Sequence, residues 1–454
     1  MCLVLTWPMV LVPLLLAGEA PGTSIHDAAK SGDIARIAKL LQFNPDLVNL
    51  RDKRGDLPLH IAAEHDQAVV VKLLVDKKAS VNALNGSHET ALRIAAARGH
   101  TGVAAALLAG RADVHLKDRH ERTALHYAAI HGNKAVVALL LDHKADVNAK
   151  DSDRLRPLHY AALNRHTEVA KMLLARRAIV DIFAAIALGQ KERIAEFLNE
   201  DPSLANARDG RDDTALRWAS YDLEVAELLL KHGADAHGSD KLYYRPLHEQ
   251  AIYRRPYMAK LLLKYGAKVD AKTSSGYTTL HWAAVEGNTE VADVLRDHGA
   301  TIDARDNDQM TPLHQAARCG KATMVIWLAT HKADVNAKGV GGLTPLHEAT
   351  GAYQAAEVIQ ALLERGAKIN ARTDRGVTAL HYAAARIVPK EVVELLVLKG
   401  AEINAKDNNG KTPLDWAQDR GFDRRLIDPM QQKHRQAISD LLNCKGGKSG
   451  EELR

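Results

Sequence analysis

Aromatic residues and cysteines are scarce in this sequence, and their scarcity excludes several classes of protein. Three cysteines in 454 residues cannot form the disulfide framework of a small secreted domain or a four-thiolate zinc site. The 61 lysines and arginines nearly balance 56 acidic residues, and a surplus of five charges is too dilute for a nucleic-acid-binding footprint. Aromatic residues make up only 4% of the chain, yet histidine occurs 22 times. This combination indicates either metal or acid–base chemistry, or one short histidine-containing motif that is copied many times.

Long hydrophobic runs are also missing, because no stretch reaches 18 apolar residues. We therefore expect no integral membrane segment. Residues 3–17 carry no charge and contain Pro8 and Pro13, and small residues follow them, as in a secretory signal peptide. Two features depart from that pattern, since no Lys or Arg precedes the run and Pro21 would follow the cleavage site. We expect residues 1–23 to be a signal peptide and the mature chain to be periplasmic or secreted; the alternative is an apolar tail on a cytoplasmic protein.

A motif that recurs about every 33 residues dominates the rest of the chain. One copy reads Thr-Pro-Leu-His-Gln-Ala-Ala at residues 311–317, and residues 344–349 and 123–129 read nearly the same. We call the Leu or Ile of each copy its anchor. The thirteen anchors are Ile25, Leu59, Leu92, Leu125, Leu158, Ile182, Leu216, Leu247, Leu280, Leu313, Leu346, Leu380 and Leu414. Chance does not hold such a period over twelve intervals, so the chain is an array of repeats.

Each residue type in the motif has a local physical role. Thr suits the N-cap of a helix, and Pro suits its first position, where no N–H is needed. The anchor and the Ala pair that follows make a narrow apolar face, and a Gly such as Gly132 ends this first helix. A second helix follows with an apolar stripe such as Val136, Val137, Leu140 and Leu141. An extended segment and a tight turn then lead to the next copy.

This order of helix, helix and β-turn over 33 residues closely resembles the ankyrin repeat from Ser24 to about Asn443. The resemblance implies an all-α solenoid of stacked helix pairs with projecting β-turn fingers. One such unit cannot bury its own apolar face, so stacking makes one continuous core.

The largest departure from the period lies between Leu158 and Ile182, which are only 24 residues apart. The missing piece is the finger. Residues 193–206 then read like residues 36–49, which open the array. We therefore expect two consecutive arrays, residues 24–180 with five repeats and 181–443 with eight including a C-terminal cap, before a flexible tail at 444–454. The alternative is an unbroken stack that lacks one finger.

The end of the second helix differs between these two arrays. The second array has Gly233, Gly266, Gly299, Gly366 and Gly400 there, whereas the first has Lys78, Arg111, Lys144 and Arg177. A non-Gly residue in the left-handed conformation costs on the order of 1 kcal/mol. We expect the first array to be the less stable one unless its turns differ.

Most histidines fall in two repeat-dictated positions. Nine directly follow an anchor: His26, His60, His126, His159, His248, His281, His314, His347 and His381. The resemblance implies that this His bonds within and between repeats. Four more, His143, His232, His298 and His331, lie near the end of the second helix, where a cation complements the helix dipole. Successive repeats stack about 10 Å apart, which is too far for neighbouring histidines to share one metal ion. We therefore expect these histidines to have a structural role rather than to bind metal.

The sequence contains no complete motif for catalysis, cofactor binding or metal binding. The Gly447-Lys448-Ser449 stretch lacks the first glycine of a phosphate-binding loop, and the histidines form no metalloprotease motif. We therefore expect no enzyme activity, no cofactor and no metal. The family resemblance implies a scaffold that binds proteins through its fingers and the concave inner-helix face. We expect an unknown protein partner, no nucleic acid and a monomer. An inhibitor or immunity-like protein that blocks an enzyme is the alternative, and an enzyme with a cryptic site is a remote one.

Tyrosine clustering suggests where a partner binds. Seven of the 11 tyrosines lie between Tyr221 and Tyr277, and Tyr, Trp and Arg are the usual anchors of interfaces. The candidate partner-binding residues are Tyr243, Tyr244, Tyr253, Arg254, Tyr277 and Trp282. The alternative is ordinary repeat filler, because other repeats have Tyr or Trp in the position of Trp282.

A second candidate surface is the basic side of the first array. Its fingers carry Lys53, Arg54, Arg119, His120 and Arg122, which could attract an acidic partner. Solvated surface charge is the other interpretation.

Overall fold

The computed structural model describes residues 24–238, 245–386, 388–418 and 429–453. The expected signal peptide, residues 1–23, lies outside this range, and so do Tyr243 and Tyr244. Contacts between Cα atoms group the chain into unit 1, which ends at Trp218, and unit 2, which begins at Ala219. Regular secondary structure is helical throughout the described residues, apart from an isolated β-bridge between Arg208 and Thr214. None of the described helices is long and apolar enough to cross a membrane.

Helices alternate in pairs along both units. Unit 1 contains α1 Ile25–Ser31, α2 Ile34–Phe43, α3 Pro58–Glu64, α4 Ala68–Asp76, α5 Ala91–Arg98, α6 Thr101–Ala109, α7 Ala124–Ile130, α8 Lys134–Asp142, α9 Pro157–Leu163, α10 Thr167–Ala175, α11 Ile182–Ala187, α12 Lys191–Glu200 and α13 Ala215–Trp218. Unit 2 contains α14 Leu223–Lys231, α15 Pro246–Ile252, α16 Pro256–Lys264, α17 Thr279–Glu286, α18 Thr289–Asp297, α19 Pro312–Arg318, α20 Ala322–Thr330, α21 Pro345–Ala349, α22 Ala355–Glu364, α23 Ala379–Ala385, α24 Lys390–Leu398, α25 Pro413–Gln418 and α26 Pro429–Cys444. Short 3₁₀ turns lie at Pro45–Asn49, Pro202–Asn206 and Val340–Gly342. Odd-numbered helices are the first helices of their repeats, and even-numbered helices are the second.

The anchors and the Ala pairs form the core, as the sequence predicts. Leu125, Ala128 and Ala129 are fully buried, and so is Leu313. Within each unit first helices pack against neighbouring first helices, and the same holds for most second helices. The predicted all-α solenoid of helix pairs with projecting turns is therefore confirmed.

At the expected boundary between the arrays, near residue 180, the repeats contact each other mainly through their first helices. Helices α9 and α11 pack together, whereas α10 and α12 make little contact. The compact units themselves divide later, after Trp218. The division into arrays at 180 and 181 thus stays a prediction, but the change in packing marks where the finger is missing.

The left-handed residues lie where the sequence places them. Lys78, Arg111, Lys144 and Arg177 have φ values of 63° to 69°, and Lys332 in unit 2 has 69°. The five glycines of the second array have φ values of 81° to 93°. A Cβ atom added at these glycines would meet nothing within 4 Å, so backbone conformation rather than space favours glycine there.

Candidate functional site: fingers and first-helix surface

A finger is a five-residue turn just before the N-cap of a first helix, and in seven described fingers the side chain of the first residue holds the turn together. In the finger at residues 306–310, Oδ1 of Asp306 accepts the N–H groups of Asp308 and Met310, both at 2.9 Å. The same pair of bonds is made by Asp52, Asn85, Asp118, Asp151, Asp209 and Asp407. Because a short polar side chain fixes the turn, the second and third residues are held at its tip.

Neighbouring fingers are hydrogen-bonded to each other through their backbones. The N–H of the second residue in one finger donates to the carbonyl of the third residue in the previous finger, at 2.9–3.2 Å. The pairs are Ser152 with His120, Gly210 with Asp153, Asn307 with Ser275, Val340 with Asp308, Asp374 with Gly341 and Asn408 with Arg375. The tips therefore form rigid rows, while most of their side chains face solvent and differ from finger to finger.

The histidine after each anchor links one repeat to the next. Nδ1 of His314 accepts the backbone N–H of Thr311 at 3.1 Å, and the Thr311 hydroxyl donates to the same nitrogen. The proton must then be on Nε2, which donates to the Leu343 carbonyl of the next finger at 3.1 Å. His60, His126, His248, His281, His347 and His381 make equivalent bonds. The structural role inferred from sequence is confirmed.

We call the histidines that link successive repeats the histidine ladder, and burial lowers the pKa of six of them. Removal from water disfavours the imidazolium, and it lowers the pKa of His126, His314 and His347 to about 4. The pKa values of His60, His281 and His381 are lowered for the same reason. Among the described residues no three His, Cys, Asp or Glu side chains gather to hold a metal ion.

The histidines at the ends of second helices act differently. Nδ1 of His143, His232, His298 and His331 lies 2.8–3.0 Å from the carbonyl four residues earlier. These rings therefore cap the C-terminal carbonyls of their own helices.

A carboxylate closes the ladder where the finger is missing. His159 has no following finger, and its Nε2 donates to Asp181 at 2.8 Å, while Arg156 pairs with the same carboxylate at 2.6 Å. Asp181 also caps α11 by accepting the Ala184 N–H. Burial opposes its ionisation, but the bonds from His159 and Ala184 and the charge of Arg156 outweigh burial and lower the pKa of Asp181 to about 2.

A second carboxylate ends the row of repeats at the last first helix, where it takes the place of the histidine. Asp415 stands in the histidine position, and its Oδ2 accepts the N–H groups of Thr412 at 2.7 Å and Gly450 at 2.8 Å. The Thr412 hydroxyl donates to the Lys448 carbonyl, and the Lys448 N–H to the side chain of Asn404. Residues 445–453, assigned to a flexible tail from the sequence, thus occupy the place of a next finger.

The structure separates the candidate binding residues into two groups. Tyr277 and Trp282 are together, with ring centroids 5.4 Å apart. Tyr253 follows the C-terminus of α15, and Arg254 donates to the Glu286 carbonyl at the C-terminus of α17. Because α15 and α17 run side by side in the same direction, Tyr253 and Arg254 lie at the opposite end of the first helices from Tyr277.

A tyrosine–arginine cluster surrounds Tyr253, and sequence reasoning did not assemble it. The Arg255 guanidinium lies 3.6 Å from the ring centroid of Tyr221 and 4.8 Å from that of Tyr253. Tyr221 is 74% exposed, and Tyr257, two residues after Arg255 in the sequence, is 77% exposed. The local surplus of tyrosine was the available signal, but which turns meet is a tertiary property.

The position of Trp282 usually holds a side chain tied to its own finger. Tyr160 donates to Asp151 at 2.6 Å, and Trp218 donates to Asp209 at 3.1 Å. Tyr127, Gln315 and Trp416 make equivalent bonds to Asp118, Asp306 and Asp407. The repeat-filler interpretation therefore has a physical basis for those residues. In the repeat of Trp282, Thr273 stands where the carboxylate would be.

Tyr277 and Trp282 line a cleft of about 590 Å³ between two fingers. Thr273, Ser274, Ser275, Asn307 and Asp308 complete its lining. One face of Tyr277 stacks on His281, with centroids 5.2 Å apart. The cleft thus combines two aromatic rings with a hydroxyl- and carboxylate-bearing rim.

Two of the five basic finger residues of unit 1, Arg54 and Arg122, lie beside acids. Arg54 lies 3.4 Å from Asp56, and Arg122 lies 3.2 Å from Asp151. For these two residues the pairing favours the solvated-charge interpretation over a surface for an acidic partner.

The comparisons with known proteins agree with this architecture. A family model described as ankyrin repeats (three copies) matches residues 25–118, 107–184, 219–306, 247–339, 300–373, 338–407 and 357–427. No curated protein matches the chain. Because the family matches extend over most of the sequence, and the finger, histidine ladder and helix pair recur in both units, the chain belongs to the ankyrin-repeat family.

Proposed function

We propose that this chain is a protein-binding scaffold whose partner contacts the finger tips and the first-helix surface of unit 2. Ankyrin repeats are in general modules of protein–protein interaction. The observation that supports the proposal here is the rigid row of fingers. Their turns and their mutual spacing are fixed by hydrogen bonds, so a partner that binds them orders little backbone and loses little binding free energy to that ordering.

The tips also supply chemical variety without disturbing the core. In the described fingers of unit 2 the second and third residues are Ser274 and Ser275, Asn307 and Asp308, Val340 and Gly341, Asp374 and Arg375, and Asn408 and Asn409. Their backbone groups make finger-to-finger bonds, and the side-chain amides of Asn307 and Asn408 add bonds to the Ser274 and Asp374 carbonyls of the previous finger. The other side chains take no part in these bonds and can change independently. Such an arrangement suits recognition, because specificity residues are separate from stability residues.

Affinity capture with tip variants tests this proposal. The full chain serves as bait against cytosolic and extracytoplasmic extracts, because we also propose export through residues 1–23. A tip variant carries Asn307→Ala, Asp308→Ala, Asp374→Ala and Arg375→Ala. A matched control carries Lys260→Ala, Glu290→Ala, Glu357→Ala and Gln360→Ala, which are exposed on second helices.

We expect a specific partner to be retained by the wild-type chain and the control and lost by the tip variant. Retention by the tip variant together with loss by the control would place binding on the second helices and refute the proposal. Helical content by circular dichroism shows that each bait is folded.

A further inference from the structure

We propose that the cleft of Tyr277, Trp282 and Asp308 binds one basic side chain, lysine or arginine, of the protein partner. This inference rests on the proposed function, because the basic side chain belongs to that partner. It adds the chemistry of one contact, which the repeat architecture alone does not specify.

The charge of the cleft selects a cation. Asp308 is the only ionisable acid or base among the lining residues apart from the Tyr277 hydroxyl. Its carboxylate makes no ion pair or hydrogen bond with any described residue, although its backbone is fixed by Asp306 and Val340. A carboxylate held at a defined place beside an open cleft is complementary to an ammonium or guanidinium group.

The aromatic rings favour the same ligand. A cation is attracted to the face of a Trp or Tyr ring, and the attraction is strongest for Trp. Tyr277 and Trp282 are both half-buried, and their planes are inclined at 57°. A side chain that enters between the rim and the rings can therefore contact an aromatic surface along its methylenes and the carboxylate with its charged end.

The positive charge that contacts Tyr277 lies outside the cleft. Arg318 donates to the Tyr277 hydroxyl at 3.2 Å and to the side chain of Gln315. It is not part of the cleft lining. Arg318 thus orients the Tyr277 ring and leaves the Asp308 carboxylate for a ligand.

The test uses ¹⁹F NMR of the full chain labelled with 5-fluorotryptophan. The protein has five tryptophans, so the spectrum is simple, and the signal missing in Trp282→Phe identifies Trp282. The probes are Nα-acetyl-arginine amide, Nα-acetyl-lysine amide and, as the neutral control, Nα-acetyl-glutamine amide. We expect the two basic probes to shift the Trp282 signal saturably, while the glutamine probe and the Trp218 signal show no such change.

Two substitutions test which side chains contact the probe. Each introduces a residue type that another finger of this chain already carries at the equivalent position. Asp308→Asn introduces the residue type that Asn409 provides at the third position of its own finger. Tyr277→Leu introduces the type that Leu155 and Leu343 provide at the fifth position of theirs. We expect Asp308→Asn to weaken binding of the basic probes about threefold and Tyr277→Leu about fivefold. The control Asp153→Asn changes a third-position carboxylate that lies near Arg122, and it should leave binding unchanged.

The proposal fails if basic probes do not shift the Trp282 signal, if the glutamine probe binds equally well, or if Asp308→Asn has no effect. These results would leave partner capture untouched. Conversely, if Trp282→Leu captures the partner as well as wild type, the scaffold function stands and the basic-side-chain contact does not.

Discussion

His159 and Asp181 lie 2.8 Å apart where one finger of the array is absent. In seven other repeats the histidine donates to a backbone carbonyl in or just before the next finger, so this carboxylate replaces a missing piece of main chain. The fingers on either side then meet directly, because Gly210 donates to the Asp153 carbonyl at 2.9 Å. Two contacts therefore compensate for the missing finger: the side-chain bond from His159 to Asp181 and the backbone bond from Gly210 to Asp153.

Removal of the Asp181 carboxylate tests this compensation. We expect Asp181→Ala to destabilise the joint by about 3 kcal/mol, because Arg156 and His159 are buried and would lose their acceptor. Amide hydrogen exchange in α9 and α11 measures the effect locally. The control Asp142→Ala breaks the exposed pair with Arg176 and should cost under about 1 kcal/mol. Equal costs for the two variants would contradict the account.

Acid should weaken the histidine ladder. His126, His314 and His347 have pKa values of about 4 in the folded chain and about 6.5 when unfolded. Between these values the unfolded chain binds more protons, so stability is complete above pH 6.5 and falls as the pH drops toward 4. Urea unfolding at pH 7 and pH 5 measures the loss.

A histidine substitution distinguishes the ladder from general acid effects. His314→Gln should lower stability at pH 7 and show a smaller further loss at pH 5 than wild type. His143→Gln, at the exposed end of α8, should change neither value appreciably. An unchanged pH dependence in His314→Gln would exclude this residue as a source.

Left-handed lysines and arginines are expected to lower the stability of unit 1. We expect Lys78→Gly, Arg111→Gly and Lys144→Gly each to stabilise the chain by up to about 1 kcal/mol, since glycine adopts positive φ without cost. Lys77→Gly is the matched control, because Lys77 has φ −85° and glycine there should destabilise. Equilibrium urea unfolding compares the four variants. A loss of stability in all four would show that the strain is negligible.

Structural features that every repeat shares could be predicted from the sequence. Contacts that form only where the repeat pattern is interrupted could not. The period, the N-cap threonines and the buried anchors follow from local rules that act in every copy. The roles of Asp181 and Asp415 do not, because each arises only when distant chain segments meet in place of a finger. The Arg255–Tyr221 contact was likewise inaccessible, since it joins turns of two repeats, the first of which is shorter than the period, with Leu216 and Leu247 only 31 residues apart.

Gln250 breaks the repeat in the core and offers a further test. It stands three residues after its anchor, where the other copies have alanine, and it is 1% exposed. Its side-chain oxygen has no hydrogen-bond partner among the described residues. We expect Gln250→Met to stabilise unit 2 by about 1 kcal/mol, because a buried carbonyl without a partner carries its full desolvation cost. A comparable loss in urea unfolding would show that the amide is satisfied.

The central claim is that fingers and first helices, rather than second helices, form the binding surface. Hydrogen exchange of the chain with and without its captured partner measures this most directly. We predict that new protection appears in the fingers at residues 273–277 and 306–310 and in α17 and α19. Protection confined to the second helices, such as α16, α18 and α20, would contradict the account.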